Sequence, residues 1–579
     1  MPGTVKNRKR VISVTEGNLR NHHLYISGHH DFFPDECYGS ASARKGMGHK
    51  LTLVVDGLPQ AVETDIARGA GNGRPRNFFR KRAWVGRFLK RHGLKEGDLV
   101  AIERLDHFTY SVYPYRGKSC KSSRGPMKHQ EEGTLFSGMG GVETEKPRTR
   151  FGDTAFTKNR NEPLHRWVPW IAGFSAAFVE EVFDAAISAD PGSVTVLDPF
   201  AGVGTTLVEG LKRGYNVVGF EINPYAALAC EVKLSCVRRR LKPLGEALNE
   251  LDPLMQTSGT RKPTARPPSR FKSRVPFFSP SVQHDVLLVQ DFIAAQKNAF
   301  VQKTLKLALG AVMVSFSNYS YEPSLSTRAA AGKGPIERAD VFRVFREKLC
   351  EIEADISLLQ QHVKKFHWKP NTQLHERSYL HAANILAPDS VDVIITSPPY
   401  LNNYHYVRNT RPQLYWLGLV DQNGGLKKLE ENSFGRFWQT VRSGPPVELS
   451  FKMPELAEVL GNIRERNPGK GVYGGAGWAN YAATYFNDCN RFFDQTQRVM
   501  KPGGLVVVVI GNNILQGVHI ETERFLAEIA AFHGFRLEGM HLVRKKRTGS
   551  SIVNSSVRAG VTKQPTELYE MAVELRLGK

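Results

Sequence analysis

The chain has 579 residues and a formal net charge of +23, with 79 Lys+Arg against 56 Asp+Glu and a sequence pI near 9.7. That length exceeds one ordinary hydrophobic core and predicts two or three domains, and the basic excess draws the protein to polyanions. No apolar run approaches the ~20 residues needed to span a bilayer, the basic start KNRKR leads into no signal-type core, and six scattered cysteines without a CxxC pair predict reduced cytosolic thiols with no disulfide frame and no metal site.

Residues 1 to about 115 predict a separate small domain. Short alternating runs at 23–27 (HLYIS), 51–55 (LTLVV), 98–105 (DLVAIERL) and 109–114 (TYSVYP), divided by Gly, Pro and Asp turns, predict a small β-barrel or sandwich. Between them RNFFRKRAWVGRFLKRHGL predicts one basic helix, with Phe78, Val85, Phe88 and Leu89 on its apolar face. Residues 1–125 hold 23 Lys+Arg against 11 Asp+Glu, an excess that a phosphate backbone rewards; arginines solvated on an ordinary helix are the alternative. From 116 to 158 the composition turns to Gly, Ser, Lys and Glu without apolar periodicity, which predicts a flexible linker. The domain from 159 to 579 opens with LHRWVPWIAGFSAAFVEEVFDAA, where Phe174, Phe178 and Phe183 keep helical spacing.

The stretch VTVLDPFAGVGTTLVEGLKRGYNVVGFEINPY, from Val194 to Tyr225, reads as strand, glycine turn, helix, strand and acid. An acid about twenty residues after such a turn belongs to a nucleotide-type site, with Glu221 placed for ribose hydroxyls. Gly202 and Gly204 permit close approach of the backbone to a ligand. From about 231 to 375 the chain inserts a largely helical segment. Its first part, TRKPTARPPSRFKSR, is Pro-rich and basic; PSVQHDVLLVQDFIAAQ, KTLKLALGAVMVSFS and ADVFRVFREKLCEIEADISLLQQHVKKF carry helical spacing. The loop SNYSYEPSLSTR within it is polar and aromatic together, which suits a polyanion-facing part, with a packing subdomain as the equal alternative. Then SVDVIITSPPY runs apolar from Val391 to Ile395 and stops where two prolines can neither continue a ladder nor begin a helix. The remainder predicts a helix ending at RVMKPGG, the strand LVVVVIGNN, the helix TERFLAEIAAFHGF and the strands EGMHLV and LYEMAVELRL.

DPFAGVGTT resembles motif I, and TSPPY at 396–400 resembles catalytic motif IV, of S-adenosylmethionine-dependent amino-methyltransferases of DNA. The resemblance covers roughly residues 160 to 579 and implies an α/β, Rossmann-like methyltransferase fold with a mostly parallel sheet and a helical insert. It assigns Asp198, Phe200, Gly202, Gly204, Thr205 and Glu221 to the S-adenosylmethionine site. Phe174 and Ser175, in the position of the family's motif X, join them, with core packing as the alternative. It makes Ser397, Pro398, Pro399 and Tyr400 the catalytic turn. An exocyclic amine is a poor nucleophile because its lone pair is delocalised into the ring. Hydrogen bonds to the Ser397 hydroxyl and the Pro398 carbonyl would hold that nitrogen tetrahedral, and Tyr400 would stack on the flipped base.

Serine at the head of SPPY resembles the cytosine-N4 branch more than the adenine-N6 branch, where Asp or Asn is usual. The family often places an acid before motif IV for the cofactor adenine; HERSYLHAANIL leaves that contact unassigned. No cysteine follows a proline, so the nucleophile of carbon-5 cytosine methyltransferases is absent. The residues 1–115, with FFP at 32–34, TDI at 64–66 and LKEGDLVAIERL, loosely resemble the DNA-binding pseudobarrel of plant transcription-factor domains and of some restriction-enzyme effector domains. The expectation is therefore a site-specific cytosine-N4 DNA methyltransferase acting on double-stranded DNA in a prokaryotic cytoplasm. A cognate restriction endonuclease is an admissible partner. The alternatives are an adenine-N6 enzyme, a tRNA guanine-N2 methyltransferase, which normally carries DPPY, and a non-enzymatic DNA-binding regulator.

Overall fold

The computed structural model describes residues 9–115, 151–546 and 567–578, apart from short stretches at 28, 43–45, 57, 59–60, 70–74, 105–106, 152–153, 171–172, 322–323, 366–368, 402–405 and 421–423. The chain divides into two compact units, Met1–Gly141 and Val142–Lys579. Among the described residues no helix is long and apolar enough to cross a membrane.

In the first unit five strands form one sheet, in the order Lys9–Ser13, Leu99–Arg104, Thr109–Pro114, Leu51–Val55, Val62–Thr64. Among the described residues the outer two have no further neighbour in it, and Tyr38–Gly39 pairs with Ile66–Ala67 apart from it. The segment HLYIS alternates as a strand should, and Leu24 and Ile26 are buried, yet it contributes only an isolated bridge from Tyr25 to Phe78. Its alternation reflects burial without a ladder. The basic helix is shorter than its pattern, Ala83–Arg91: Trp84, Val85, Phe88 and Leu89 are buried, whereas Phe78 sits outside it in the bridge to Tyr25. Lys81, Arg82, Arg87, Lys90 and Arg91 remain exposed. Ahead of the helix Arg80 grips the fully buried Asp65 through Nε at 2.6 Å and Nη2 at 2.9 Å.

The second unit is a seven-stranded α/β sheet. Its strands are β1 (Thr195–Asp198), β2 (Asn216–Phe220), β3 (Thr372–His375), β4 (Val391–Thr396), β5 (Met500–Gly511), β6 (Phe535–Lys546) and β7 (Leu568–Leu577). They lie in the order β3-β2-β1-β4-β5-β7-β6, parallel throughout except that β7 runs against both β5 and β6. This is the Rossmann-like, mostly parallel sheet expected. The apolar runs have no polar face because both faces are covered. Leu505, Val507 and Val509 of β5 join the cluster under helix Ala176–Ala186, while Val506, Val508 and Ile510 join the cluster under helices Gly475–Val499 and Thr522–Phe532. Within the expected linker Phe151, Thr154, Ala155 and Phe156 are buried, and residues 116–150 and 152–153 lie outside the described residues.

Between β2 and β3 the insert folds as expected into helices. Pro280–Ala295, Ala299–Val312 and α3 (Val341–Lys365) share one hydrophobic cluster with α1 (Thr205–Lys212) and α2 (Pro224–Ser235). The apolar faces of these insert helices are therefore core, whereas 257–276 and 324–340 hold no buried residue. SNYSYEPSLSTR forms a hairpin, Tyr319–Tyr321 paired with Leu325–Thr327, and Tyr321 donates to the Asn409 carbonyl at 3.1 Å.

Candidate active site

The chemistry-bearing residues collect where β1, β2 and β4 end. β1 stops at Asp198, and the next turn takes the left-handed conformation twice, at Gly202 (φ 52°) and Gly204 (φ 87°), before α1 starts at Thr205. Asp198 accepts the Thr396 hydroxyl at 2.6 Å and the Phe200 N–H at 3.1 Å, which ties the end of β1 to the end of β4. Burial pushes its carboxyl up to about 6. Glu221, just past β2, accepts the Gly202 N–H at 2.7 Å on one oxygen and the Asn223 N–H at 2.7 Å on the other. Burial pushes this carboxyl up to about 7 against those two hydrogen bonds.

Helix α2 supports the turn from behind. Lys233, fully buried, donates to the Val203 carbonyl at 2.7 Å, and Cys230 Sγ donates to the Gly202 carbonyl at 3.2 Å. At the end of β4, Ser397 Oγ donates to Tyr400 Oη at 3.5 Å. The Tyr400 ring lies on Gly511 of β5, where a Cβ would come within 3.4 Å of it.

These residues share one cavity of about 780 Å³, lined by Phe174, Asp198, Phe200, Gly202, Thr205, Glu221, Ser397, Pro399 and Tyr400. Nine of the twelve residues singled out in the sequence thus meet at a single space. Gly204 and Pro398 are not on its wall. A Cβ on Gly204 would meet Cys230 Sγ at 3.1 Å, so this glycine serves the packing of the turn on α2; a Cβ on Gly202 would meet Trp170 Nε1, another wall residue, at 3.3 Å. Ser175 also stays off the wall and caps helix Ala176–Ala186, accepting from the Phe178 N–H at 3.3 Å.

The wall holds residues that the sequence did not single out. Arg377, Ser378 and Tyr379, just after β3, lie in HERSYLHAANIL, the segment in which the sequence leaves the adenine contact unassigned. Arg436 enters from a loop in which Gly435 and Arg436 both have positive φ. Arg544 of β6 and Glu570 of β7 complete the side nearest Tyr400, 3.9 Å apart between Nη1 and Oε2. The signal for Glu570 was an acid inside the apolar strand LYEMAVELRL, and 7% exposure fits a group that must have partners.

No family model matches the chain. It is 25% identical over 438 residues to the type II methyltransferase M.BsoBI of Geobacillus stearothermophilus, covering 69% of this chain and 83% of that protein. It is 22% identical over 385 residues to the type II methyltransferase M.MvaI of Kocuria varians, covering 64% and 82%. Among solved structures, TrmN from Thermus thermophilus aligns with 72% of this chain and 53% of its own at 11% identity, with a TM-score of 0.24. The strand order carries the fold assignment, and the sequence similarity along about two thirds of the chain is to type II methyltransferases.

Proposed function

We propose that the chain is a site-specific DNA methyltransferase that uses S-adenosylmethionine to methylate the exocyclic N4 amine of cytosine. The observation that carries this reading is the meeting of the Gly202–Glu221 turn and the Ser397–Tyr400 turn in one cavity. The residues fit a nucleoside cofactor. Each Glu221 oxygen holds one backbone N–H and keeps a lone pair for a ribose hydroxyl, and Phe174, Phe220 and Trp170 offer apolar walls. When bound, S-adenosylmethionine supplies an electrophilic methyl group.

Ser397 gives its proton to Tyr400, so its oxygen acts as an acceptor toward the amine. An N–H bonded to that oxygen draws the nitrogen out of conjugation and turns its lone pair toward the methyl donor. Tyr400 offers a ring for stacking the extruded base, worth ~1–3 kcal/mol. The serine at the head of the turn favours cytosine over adenine. The exposed Lys81, Arg82, Arg87, Lys90 and Arg91 of the first unit supply phosphate contacts to double-stranded DNA.

The test is to incubate the purified protein with labelled S-adenosylmethionine and DNA, digest to nucleosides and separate them. N4-methylcytosine is expected. N6-methyladenine would overturn the choice of base, and unlabelled DNA would overturn the function.

A further inference from the structure

We propose that Glu570 is the terminal acceptor of the proton that leaves the amine, reached through the hydroxyls of Ser397 and Tyr400. This rests on the methyltransferase reading above. Transfer of a methyl group to an N–H2 nitrogen leaves that nitrogen one proton in excess, and serine is too weak a base to keep it. A carboxylate is the nearest adequate sink.

The geometry supplies the path. Ser397 Oγ donates to Tyr400 Oη at 3.5 Å, so the serine hydroxyl already points into the tyrosine. Tyr400 rests on Gly511 of β5, and in the ladder between β5 and β7 the residue opposite Gly511 is Glu570. Glycine at 511 lets the tyrosine reach across to that carboxylate. Burial first, and then the negative charge of Glu570, push the Tyr400 hydroxyl well above its ordinary range, as expected of a phenol that keeps its proton at rest while hydrogen-bonded to a carboxylate.

Glu570 has the surroundings of an acceptor. It lies on the cavity wall, with Arg544 Nη1 at 3.9 Å and the Thr154 hydroxyl donating at 3.4 Å. Its neighbours on β7, Ala572 and Val573, are fully buried and apolar, so a carboxylate here costs folding energy that packing does not explain. The other buried acid of the strand, Glu574, meets His541 Nε2 at 3.1 Å on β6, away from the Ser397 turn.

The step balances. The amine nitrogen forms its bond to carbon as the carbon–sulfur bond breaks, sulfur keeping the electron pair. As that happens an N–H proton passes to Ser397 Oγ, the Ser397 proton to Tyr400 Oη and the Tyr400 proton to Glu570. A sulfonium and a carboxylate become a thioether and a carboxylic acid, and Glu570 then returns its proton to solvent.

The experiment measures single-turnover transfer to DNA by the full-length protein, with DNA and cofactor binding determined on the same preparations. Glu570→Gln is expected to slow transfer by about tenfold or more while both dissociation constants stay within about twofold. Glu570→Ala is expected to regain rate, saturably, with added formate, which a purely structural role would not give. Tyr400→Phe, which breaks the path and leaves Glu570 in place, is expected to slow transfer, and Tyr400→Phe with Glu570→Gln should be no slower than the slower single variant. Full transfer by Glu570→Gln, or by Tyr400→Phe should the former not fold, would overturn the relay, as would multiplicative losses in the double variant. Wild-type protein that transfers nothing to DNA would overturn the function reading and the relay with it.

Discussion

The N–H of Gly202 donates to Glu221 Oε2 at 2.7 Å, joining the turn after β1 to the acid after β2. The same carboxylate that shapes the turn faces the cavity, so its protonation state governs both.

This predicts the pH dependence of cofactor binding. Burial holds Glu221 near 7, and ribose hydroxyls bond best to its ionised form. Ionisation rises with pH through 7, so affinity for S-adenosylmethionine should improve by about tenfold between pH 6 and pH 8 and level off above. Glu221→Gln should bind more weakly and lose that dependence. Calorimetric titration at several pH values checks both, and a flat wild-type profile would remove Glu221 from the contact.

Lys233 makes a stability prediction of opposite origin. Burial lowers its ammonium to about 8, against 10.5 for the free side chain. The folded protein therefore holds this proton less tightly than the unfolded chain. The burial cost is paid in full below pH 8 and relieved as pH rises toward 10.5. Between pH 7.5 and 9.5 the wild type should gain about 2 kcal/mol relative to Lys233→Met, measured by urea unfolding at the two pH values. Parallel curves would mean that Lys233 is ionised at no cost.

The exposed cations of helix Ala83–Arg91 and of Arg82 just ahead of it predict a salt effect. Replacing Arg82, Arg87 and Arg91 together by alanine should lower the slope of log affinity for DNA against log salt by about 2 to 3, with S-adenosylmethionine binding unchanged. An unaltered slope would assign this face to another partner.

The site was legible in the sequence wherever a local rule dictates the backbone. Two glycines must bend between Asp198 and Thr205, two prolines must end β4 at Thr396, and LYEMAVELRL is strand from Leu568 to Leu577 as its apolar run demanded. What escaped depends on contacts between distant residues. Gly204 and Gly202 look alike in the chain, yet which missing Cβ faces the cavity is decided by Cys230 on α2. Glu570 meets Tyr400 only because β7 pairs with β5 in a register that puts it opposite Gly511. In the first unit HLYIS buries alternate residues without finding a strand partner, a failure that periodicity alone cannot reveal.

Whether Ser397 acts on the amine from a cavity shared with the cofactor is tested most directly by one measurement. Single-turnover methyl transfer to DNA should be compared between wild type and Ser397→Ala, with DNA and cofactor affinities determined on the same samples. Loss of a hydrogen bond needed as charge develops predicts a fall of about 100-fold or more in rate with both affinities preserved. A Ser397→Ala variant that transfers at the wild-type rate would contradict the assignment of this turn as the catalytic one.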